Sequence, residues 1–199
     1  MADVWEDIQR FARAIGEGKA AWVLKTAPDV LAACDDDDAR ATLLGCLATA
    51  AQSEKDCDAS IRYATDALKL NPTLWHVWAN RSLSLLRKGR VRLALADVNR
   101  LLDKNPSYAL GFYVRSVCYL VLASESDPAL KPIMLRRALA DSDESLHYEP
   151  DDAAYAQQRE LLRGLVGEKV VAAEQSIDGW AIAEKLAKVA GRFVGGMIG

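Results

Sequence analysis

The chain has 199 residues, of which 51% are hydrophobic and 27% are charged. This composition is typical of one folded domain and excludes a disordered chain. The formal net charge of −3 at pH 7 lacks the basic excess that a nucleic-acid-binding protein needs, so no nucleic-acid partner is expected.

The cysteines predict neither a disulfide framework nor a metal site. Cys34, Cys46, Cys57 and Cys118 form no C-x-x-C pair, and the chain has only two histidines, whereas a zinc site needs a tighter cluster. We therefore expect no metal and no cofactor. Isolated thiols on helices indicate a reducing compartment. The first ten residues lack the apolar core of a signal peptide, and no run of 18 apolar residues occurs, so a cytoplasmic protein without a transmembrane helix is expected.

The N-terminal segment, residues 1–38, is predicted to be helical. A first helix runs from Ala2 to Ile15 and ends at the glycines that follow. Helix continues over residues 19–25, and Asp29 is expected to cap a short helix that ends at Cys34. The acidic run at 34–38 is interpreted as a solvated loop whose aspartates precede a helix N-terminus, where the dipole favours negative charge.

From residue 39 onward, apolar residues recur at three- and four-residue steps, which predicts successive helices separated by short turns. The predicted helices are Ala39 to Gln52, Ala59 to Leu70, Leu74 to Arg87, Val91 to Asp103, Tyr108 to Ala123, and about Ile133 to His147.

Prolines mark a period in this pattern. Pro72 and Pro106 each follow a predicted helix and are 34 residues apart, while Pro106 and Pro150 are 44 apart because of the longer connection SESDPALKP. A proline just past a helix end forces the residue before it out of the α region. Helix–turn–helix units with such a period are typical of a solenoid, in which stacked units share a core.

The key positions resemble the tetratricopeptide repeat (TPR). The second repeat supplies Trp78, Ser82, Leu85, Gly89, Ala94, Leu101 and Pro106. The other two repeats follow the same pattern. The first has Leu44, Ala48, Ala51, Ser60, Ala67 and Pro72, and the third has Phe112, Ser116, Tyr119, Ala138, Ser145 and Pro150. The resemblance implies an all-α, right-handed TPR-like solenoid of three repeats (39–72, 73–106 and 107–150, within 39–152), preceded by N-terminal helices and followed by capping and amphipathic helices in 153–199.

Within this family the chain looks most like co-chaperone domains that clamp the acidic tails of Hsp70 and Hsp90. In those domains five side chains hold the terminal carboxylates, and the matching positions here are Gly45, Thr49, Asn80, Leu110 and Val114. Only Asn80 is retained and all three cations are missing, so tail binding is not expected, because a buried dicarboxylate needs paired donors. Arg115 should project from another face. Asn80 is interpreted as an amide that satisfies backbone groups between adjacent repeats.

The resemblance also implies that the leading helix of each repeat faces a peptide-binding groove. The candidate groove residues are Thr49, His76, Asn80, Leu83, Leu86, Arg87, Leu110, Tyr113, Val117 and Leu120. Such an apolar groove is rarely left bare, so we expect a helix, an apolar peptide or the chain's own tail to cover it.

Two further helices are predicted beyond the repeats. One runs from Ala153 to Glu174 and caps the repeats through an apolar stripe that includes Leu161 and Leu162. The tail helix at 177–199 is amphipathic, with Trp180, Leu186 and Phe193 on one stripe. This helix could pack on its own repeats. It could instead fill the groove or dock into a partner protein, or it could contact a membrane surface.

No catalytic constellation is evident. Cys118 and His147 lie in one repeat without a third group, and Asp141, Asp143 and Glu144 are interpreted as a solvated outer face. The sequence therefore favours a non-catalytic adaptor that binds a protein or peptide in the groove. The alternative is a membrane-associated adaptor anchored through 177–199. The SESDPALKP insertion fits a partner-specific loop and a neutral insertion equally well.

Overall fold

The computed structural model of the protein describes residues 4–168, and these form nine α-helices and no β-strand. The predicted all-α class is confirmed. The helices are α1 Val4–Gly16, α2 Ala20–Ala32, α3 Asp37–Ser53, α4 Cys57–Leu70, α5 Trp75–Arg87, α6 Val91–Lys104, α7 Ala109–Glu125, α8 Lys131–Tyr148 and α9 Ala153–Glu168. The predicted tail helix with Trp180, Leu186 and Phe193 lies outside the described residues.

The described residues form two compact units, residues 4–88 with α1 to α5 and residues 89–168 with α6 to α9. Their boundary falls in the turn between α5 and α6, which is inside the second predicted repeat. The predicted limits of the N-terminal segment, the repeats and the C-terminal region stay predictions.

The first unit is a stack of helical hairpins. Helix α3 packs against α4 and α5, and α4 also packs against α5. The same three contacts recur one hairpin earlier, since α1 packs against α2 and α3, and α2 packs against α3. Their shared core contains Phe11, Val23, Leu43 and Leu47, which are fully buried. The N-terminal segment is therefore a hairpin that stacks in the same way as the hairpins that follow.

The turns within these hairpins have one backbone geometry. Gly18 and Lys55 both adopt a positive φ, of 76° and 65°. In each turn the next N–H reaches back five residues, from Lys19 to the carbonyl of Ala14 and from Asp56 to that of Ala51. This Schellman pattern satisfies carbonyls that the helix end would leave unpaired. Gly89, the predicted turn glycine, also has a positive φ, of 73°.

The region between α1 and α3 differs from the prediction at one point. Helix α2 is continuous from Ala20 to Ala32, with Pro28 inside it, so Asp29 does not cap a new helix. The helix end is held from α3 instead, because the guanidinium of Arg40 donates to the carbonyls of Leu31 and Cys34. The acidic run behaves as predicted, since the Asp36 carboxylate accepts the Ala39 N–H at 2.7 Å and caps α3.

In the second unit α7 packs against α6 and α8, and α9 packs against α8. A partly buried ion pair joins α7 to α8: Arg115 Nε and Nη2 donate to the two Asp141 carboxylate oxygens at 2.8 and 2.7 Å. The hydrogen bonds to Asp141 raise the pKa of Arg115, which keeps it charged. The prediction that Asp141 is solvated is wrong, because it is buried against α7. Val114 is fully buried, whereas its neighbour Arg115 is partly exposed.

The close contact of α7 with α6 depends on Gly111. A Cβ built on this glycine would lie 2.6 Å from Leu101 Cδ2 and 2.9 Å from Leu102 Cδ2. Both leucines are buried, so they cannot move aside into solvent. A larger residue here would force α7 away from α6.

We predict that Gly111→Ala destabilises the second unit, by about 0.5–2 kcal/mol, because overpacking of about 1–3 kcal/mol exceeds the gain in helix propensity. The matched control is Gly164→Ala in α9, where a Cβ would meet no atom within 4 Å and should stabilise by about 0.5–1 kcal/mol. Urea unfolding followed by circular dichroism measures both changes. Equal stability of the two variants would contradict the steric argument.

Candidate interaction face

All ten candidate groove residues lie on the leading helices of the predicted repeats. In the first unit Thr49 is on α3, and His76, Asn80, Leu83, Leu86 and Arg87 are on α5. In the second unit Leu110, Tyr113, Val117 and Leu120 are all on α7. We call the first set the α3–α5 face, since these two helices pack against each other.

Most of these side chains are buried. In the first unit Thr49, Asn80, Leu83 and Leu86 are at most 4% exposed, and only His76 and Arg87 are partly exposed. All four α7 residues are at most 3% exposed. At the described residues, the partly exposed side chains of the α3–α5 face are thus an imidazole and a guanidinium at opposite ends of α5.

A buried polar bridge fixes α3 against α5. The Asn80 amide donates to Thr49 Oγ at 2.9 Å, and the Gln52 amide donates to the Asn80 carbonyl at 3.2 Å. Asn80 thus joins adjacent repeats as predicted, but its side chain bonds a hydroxyl rather than a backbone group. Gln52, which the sequence also places at a groove position, is 3% exposed, and its Oε1 has no partner in the described part of the chain.

The Arg87 end of the face is linked to the same bridge. Arg87 Nη1 lies 3.4 Å from the Gln52 carbonyl oxygen, to which it donates. Lys88, the next residue, points elsewhere and pairs with Asp58 of α4 at 2.8 Å. The adjacent cations Arg87 and Lys88 therefore contact different helices of the first unit, α3 and α4.

At the other end of α5, His76 packs against Gly45. A Cβ on Gly45 would lie 3.1 Å from Val77 Cγ2 and 3.5 Å from His76 Nε2. Burial lowers the pKa of His76 below its ordinary value, so the imidazole is neutral at pH 7. Gly45 matches a clamp lysine of the co-chaperone domains, and a lysine here would have to displace Val77 or His76.

In the second unit, α9 covers part of α7. The ring centroids of Tyr113 and Tyr155 are 5.1 Å apart, and the Gln158 amide donates to the Tyr113 carbonyl at 3.3 Å. Tyr155, Gln158 and Leu162 are buried. Helix α9 therefore packs on α7, while its capping role stays a prediction; Leu161, expected to face the repeats, is 36% exposed.

Comparison with solved structures identifies the fold. MamA from Desulfovibrio magneticus RS-1 (residues 41 to the end) matches with a TM-score of 0.63 at 16% identity over 95% of this chain and 98% of MamA. The MamA RS-1 ArsTM double mutant matches with a TM-score of 0.62 at 14% identity, over 96% of this chain. The TPR domain of Arabidopsis OM64 matches with a TM-score of 0.58 at 18% identity, over 65% of this chain and 99% of that domain. The fold is that of a tetratricopeptide-repeat protein.

Sequence comparison with curated proteins covers less of the chain. Rat serine/threonine-protein phosphatase 5 is 29% identical over 98 residues, which are 49% of this chain and 18% of the phosphatase. The human protein is 25% identical over 125 residues, which are 61% of this chain and 23% of the phosphatase. The chain thus matches less than a quarter of the length of either phosphatase. No family model matches it.

The described part of this chain offers no set of three or more His, Cys, Asp or Glu side chains placed to hold a metal ion. Burial raises the pKa of Cys46 to about 12 and also raises that of Cys118, so both are protonated thiols rather than nucleophiles. Within residues 4–168 no helix combines the length and apolarity that crossing a membrane requires.

The Asn80–Thr49 bridge leads to a prediction on stability. We expect Asn80→Ala to destabilise the first unit by about 1–3 kcal/mol, because the Thr49 hydroxyl loses its buried partner. Thr49→Val should cost about as much, and the double variant should cost less than the sum. Urea unfolding of the four proteins measures this coupling. Strict additivity would mean that the hydrogen bond contributes nothing.

A second prediction concerns pH. Because the native pKa of His76 is lowered, the unfolded state binds the proton more readily. Stability is therefore fully present above the unfolded pKa of about 6.5 and falls as pH decreases below it. Unfolding free energies at about pH 7.5 and pH 5.5 should differ more in the wild type than in His76→Gln. Other titrating groups are common to both proteins, so identical pH dependence would contradict the proposed burial effect.

Proposed function

We propose that this TPR protein is a non-catalytic adaptor that binds a helical or apolar peptide of a partner protein on the faces of its leading helices. The observation that carries the proposal is the α3–α5 face. Two adjacent leading helices are locked by the Asn80–Thr49 bond, with His76 and Arg87 partly exposed at the two ends of α5.

Gln52 supports a bound ligand on this face. Its Oε1 is buried without a donor in the described part of the chain, and such an acceptor costs about 1–3 kcal/mol when nothing pairs with it. A peptide N–H would supply the missing donor once the Gln52 side chain turns toward the surface, because Oε1 is fully buried in the free protein. Arg87, next to the same residue, would attract a carboxylate of the ligand.

The proposed partner is not an Hsp70 or Hsp90 tail. At the clamp positions, Gly45 has no room for a long side chain beside Val77, and Leu110 and Val114 are buried and uncharged. The four cysteines are free thiols, which is consistent with the cytoplasmic location that we propose.

A charge reversal tests the adaptor function. We expect affinity capture from lysate, quantified by mass spectrometry, to recover proteins with the wild type that are lost with Arg87→Glu. Lys88→Glu is the matched control, because it makes the same charge change one residue away on the α4 side. Charges at Leu110 or Val117 are unsuitable, since both are buried and the fold would fail first.

Circular dichroism melting must show that both variants fold. If Arg87→Glu and Lys88→Glu capture the same proteins as the wild type, the α3–α5 face is not the binding site.

The alternative is a membrane-associated adaptor, for which the amphipathic stripe of Trp180, Leu186 and Phe193 in the sequence is the support. If this alternative is right, the full chain should co-sediment with anionic vesicles, and deletion of residues 177–199 should abolish the co-sedimentation.

A further inference from the structure

The ten extra residues of the third repeat are used to lengthen one hairpin. Helix α7 has 17 residues and α8 has 18, against 13 in α5 and 14 in α6. The connection at 126–130 is two residues longer than that at 88–90. Four residues in each helix and two in the connection account for the whole insertion. Helices α7 and α8 are each about one turn, or 6 Å, longer than their counterparts α5 and α6.

The added turn carries exposed apolar side chains. Leu130 is 47% exposed and Ile133 is 46% exposed. Three residues apart, they lie on one side of the α8 start. Pro128, Ala129 and Pro132 beside them are exposed as well. A run of exposed apolar residues at one place is a feature of interaction sites.

The charges along α8 are segregated. Its first ten residues contain Lys131, Arg136 and Arg137 and no carboxylate, while the acidic residues begin at Asp141. Arg136 therefore has no carboxylate three or four residues away on its own helix, where an ion pair within the helix would form. This segregation gives the first half of α8 a positive charge, which favours a role toward an anionic partner.

The nearest acidic residue is held within the connection. The Asp127 carboxylate accepts the Ala129 N–H at 2.9 Å, and its carbonyl accepts the N–H of Leu130. On α8, Arg137 stacks over the Tyr119 ring at 5.8 Å, while Arg136 is exposed. Positive charge thus flanks the two apolar side chains on the outer side of α8.

We propose that this surface, the α8 tip of Leu130, Ile133, Arg136 and Arg137, docks an acidic amphipathic helix of a partner protein. The apolar stripe of that helix packs on Leu130 and Ile133, and its carboxylates pair with the arginines. A bilayer is disfavoured because Glu125 and Asp127 are exposed at the same tip. Carboxylates are tolerated at the polar rim of a protein interface but are repelled by anionic lipid.

A synthetic peptide tests this without knowledge of the natural partner. The probe is a fluorescein-labelled helix of about 18 residues with leucines on one stripe and glutamates elsewhere. A second peptide carries lysine in place of every glutamate. Fluorescence anisotropy with the full chain should give saturable binding of the glutamate peptide and at least about tenfold weaker binding of the lysine peptide.

The variants locate the site. Leu130→Ser with Ile133→Ser, and separately Arg136→Glu, should each weaken binding at least about tenfold. Leu93→Ser and Arg92→Glu are matched controls on α6, where Leu93 is 56% exposed and Arg92 is also exposed, and they should leave binding unchanged. Because all these side chains are on the surface, circular dichroism should show the same helicity throughout.

Three results would overturn the proposal: no saturable binding of the glutamate peptide, equal binding of both peptides, or unchanged binding by the tip variants. A vesicle assay provides a separate check. Co-sedimentation with phosphatidylserine-containing vesicles that the Leu130 and Ile133 substitutions abolish would identify the tip as a lipid contact instead.

Discussion

The close approach of each leading helix to the hairpin before it is the constraint on which both compact units depend. On α7 this approach needs Gly111, since any Cβ there would enter the space of Leu101 and Leu102. Helix α3 likewise approaches the hairpin after it through Gly45, which faces Val77 and His76 of α5. Ridges of one helix enter the grooves of the next only where a small residue leaves room. Because these contact positions must hold small residues, they cannot carry the long side chains that would hold a ligand.

Polar contacts then fix which positions meet. In the first unit the Thr49–Asn80 bond joins α3 to α5, and a Ser60–Ser84 bond of 2.9 Å joins α4 to α5. In the second unit Arg115 and Asp141 join α7 to α8. Buried polar groups are costly when unpaired, so a shift of one turn would leave each of them without its partner. Apolar burial provides most of the stability, and these pairs specify one register.

The sequence was sufficient for the helices and their order, because periodic apolar residues and proline stops are local signals. It was insufficient where a residue far away in the sequence determines whether a helix continues or a side chain is buried. Helix α2 passes through Pro28 because its packing against α1 and α3 outweighs a local breaker. From the sequence alone, Asp141 would be expected at an exposed position. It can be buried because Arg115, on another helix, pairs with its carboxylate. The groove residues were placed on the correct helices, but their burial follows from packing that no pattern in one sequence displays.

Helices α3 and α8 show how differently one chain treats a helix start. Helix α3 has Asp36 as its cap and two more aspartates in its first turn, which agrees with its dipole. Helix α8 has no capping side chain and no acidic residue in its first turn, with Leu130 exposed at the cap position. Helices α2, α5, α6 and α7 also begin without a capping side chain or an acidic residue in the first turn, so packing rather than capping holds most helix starts of this chain. The start of α8 carries in addition two large apolar side chains, Leu130 and Ile133, that are exposed three residues apart in the lengthened hairpin, and exposed apolar side chains at one place are a feature of interaction sites. The repeat pattern could not show this, because the lengthened hairpin is where the third repeat departs from the 34-residue period.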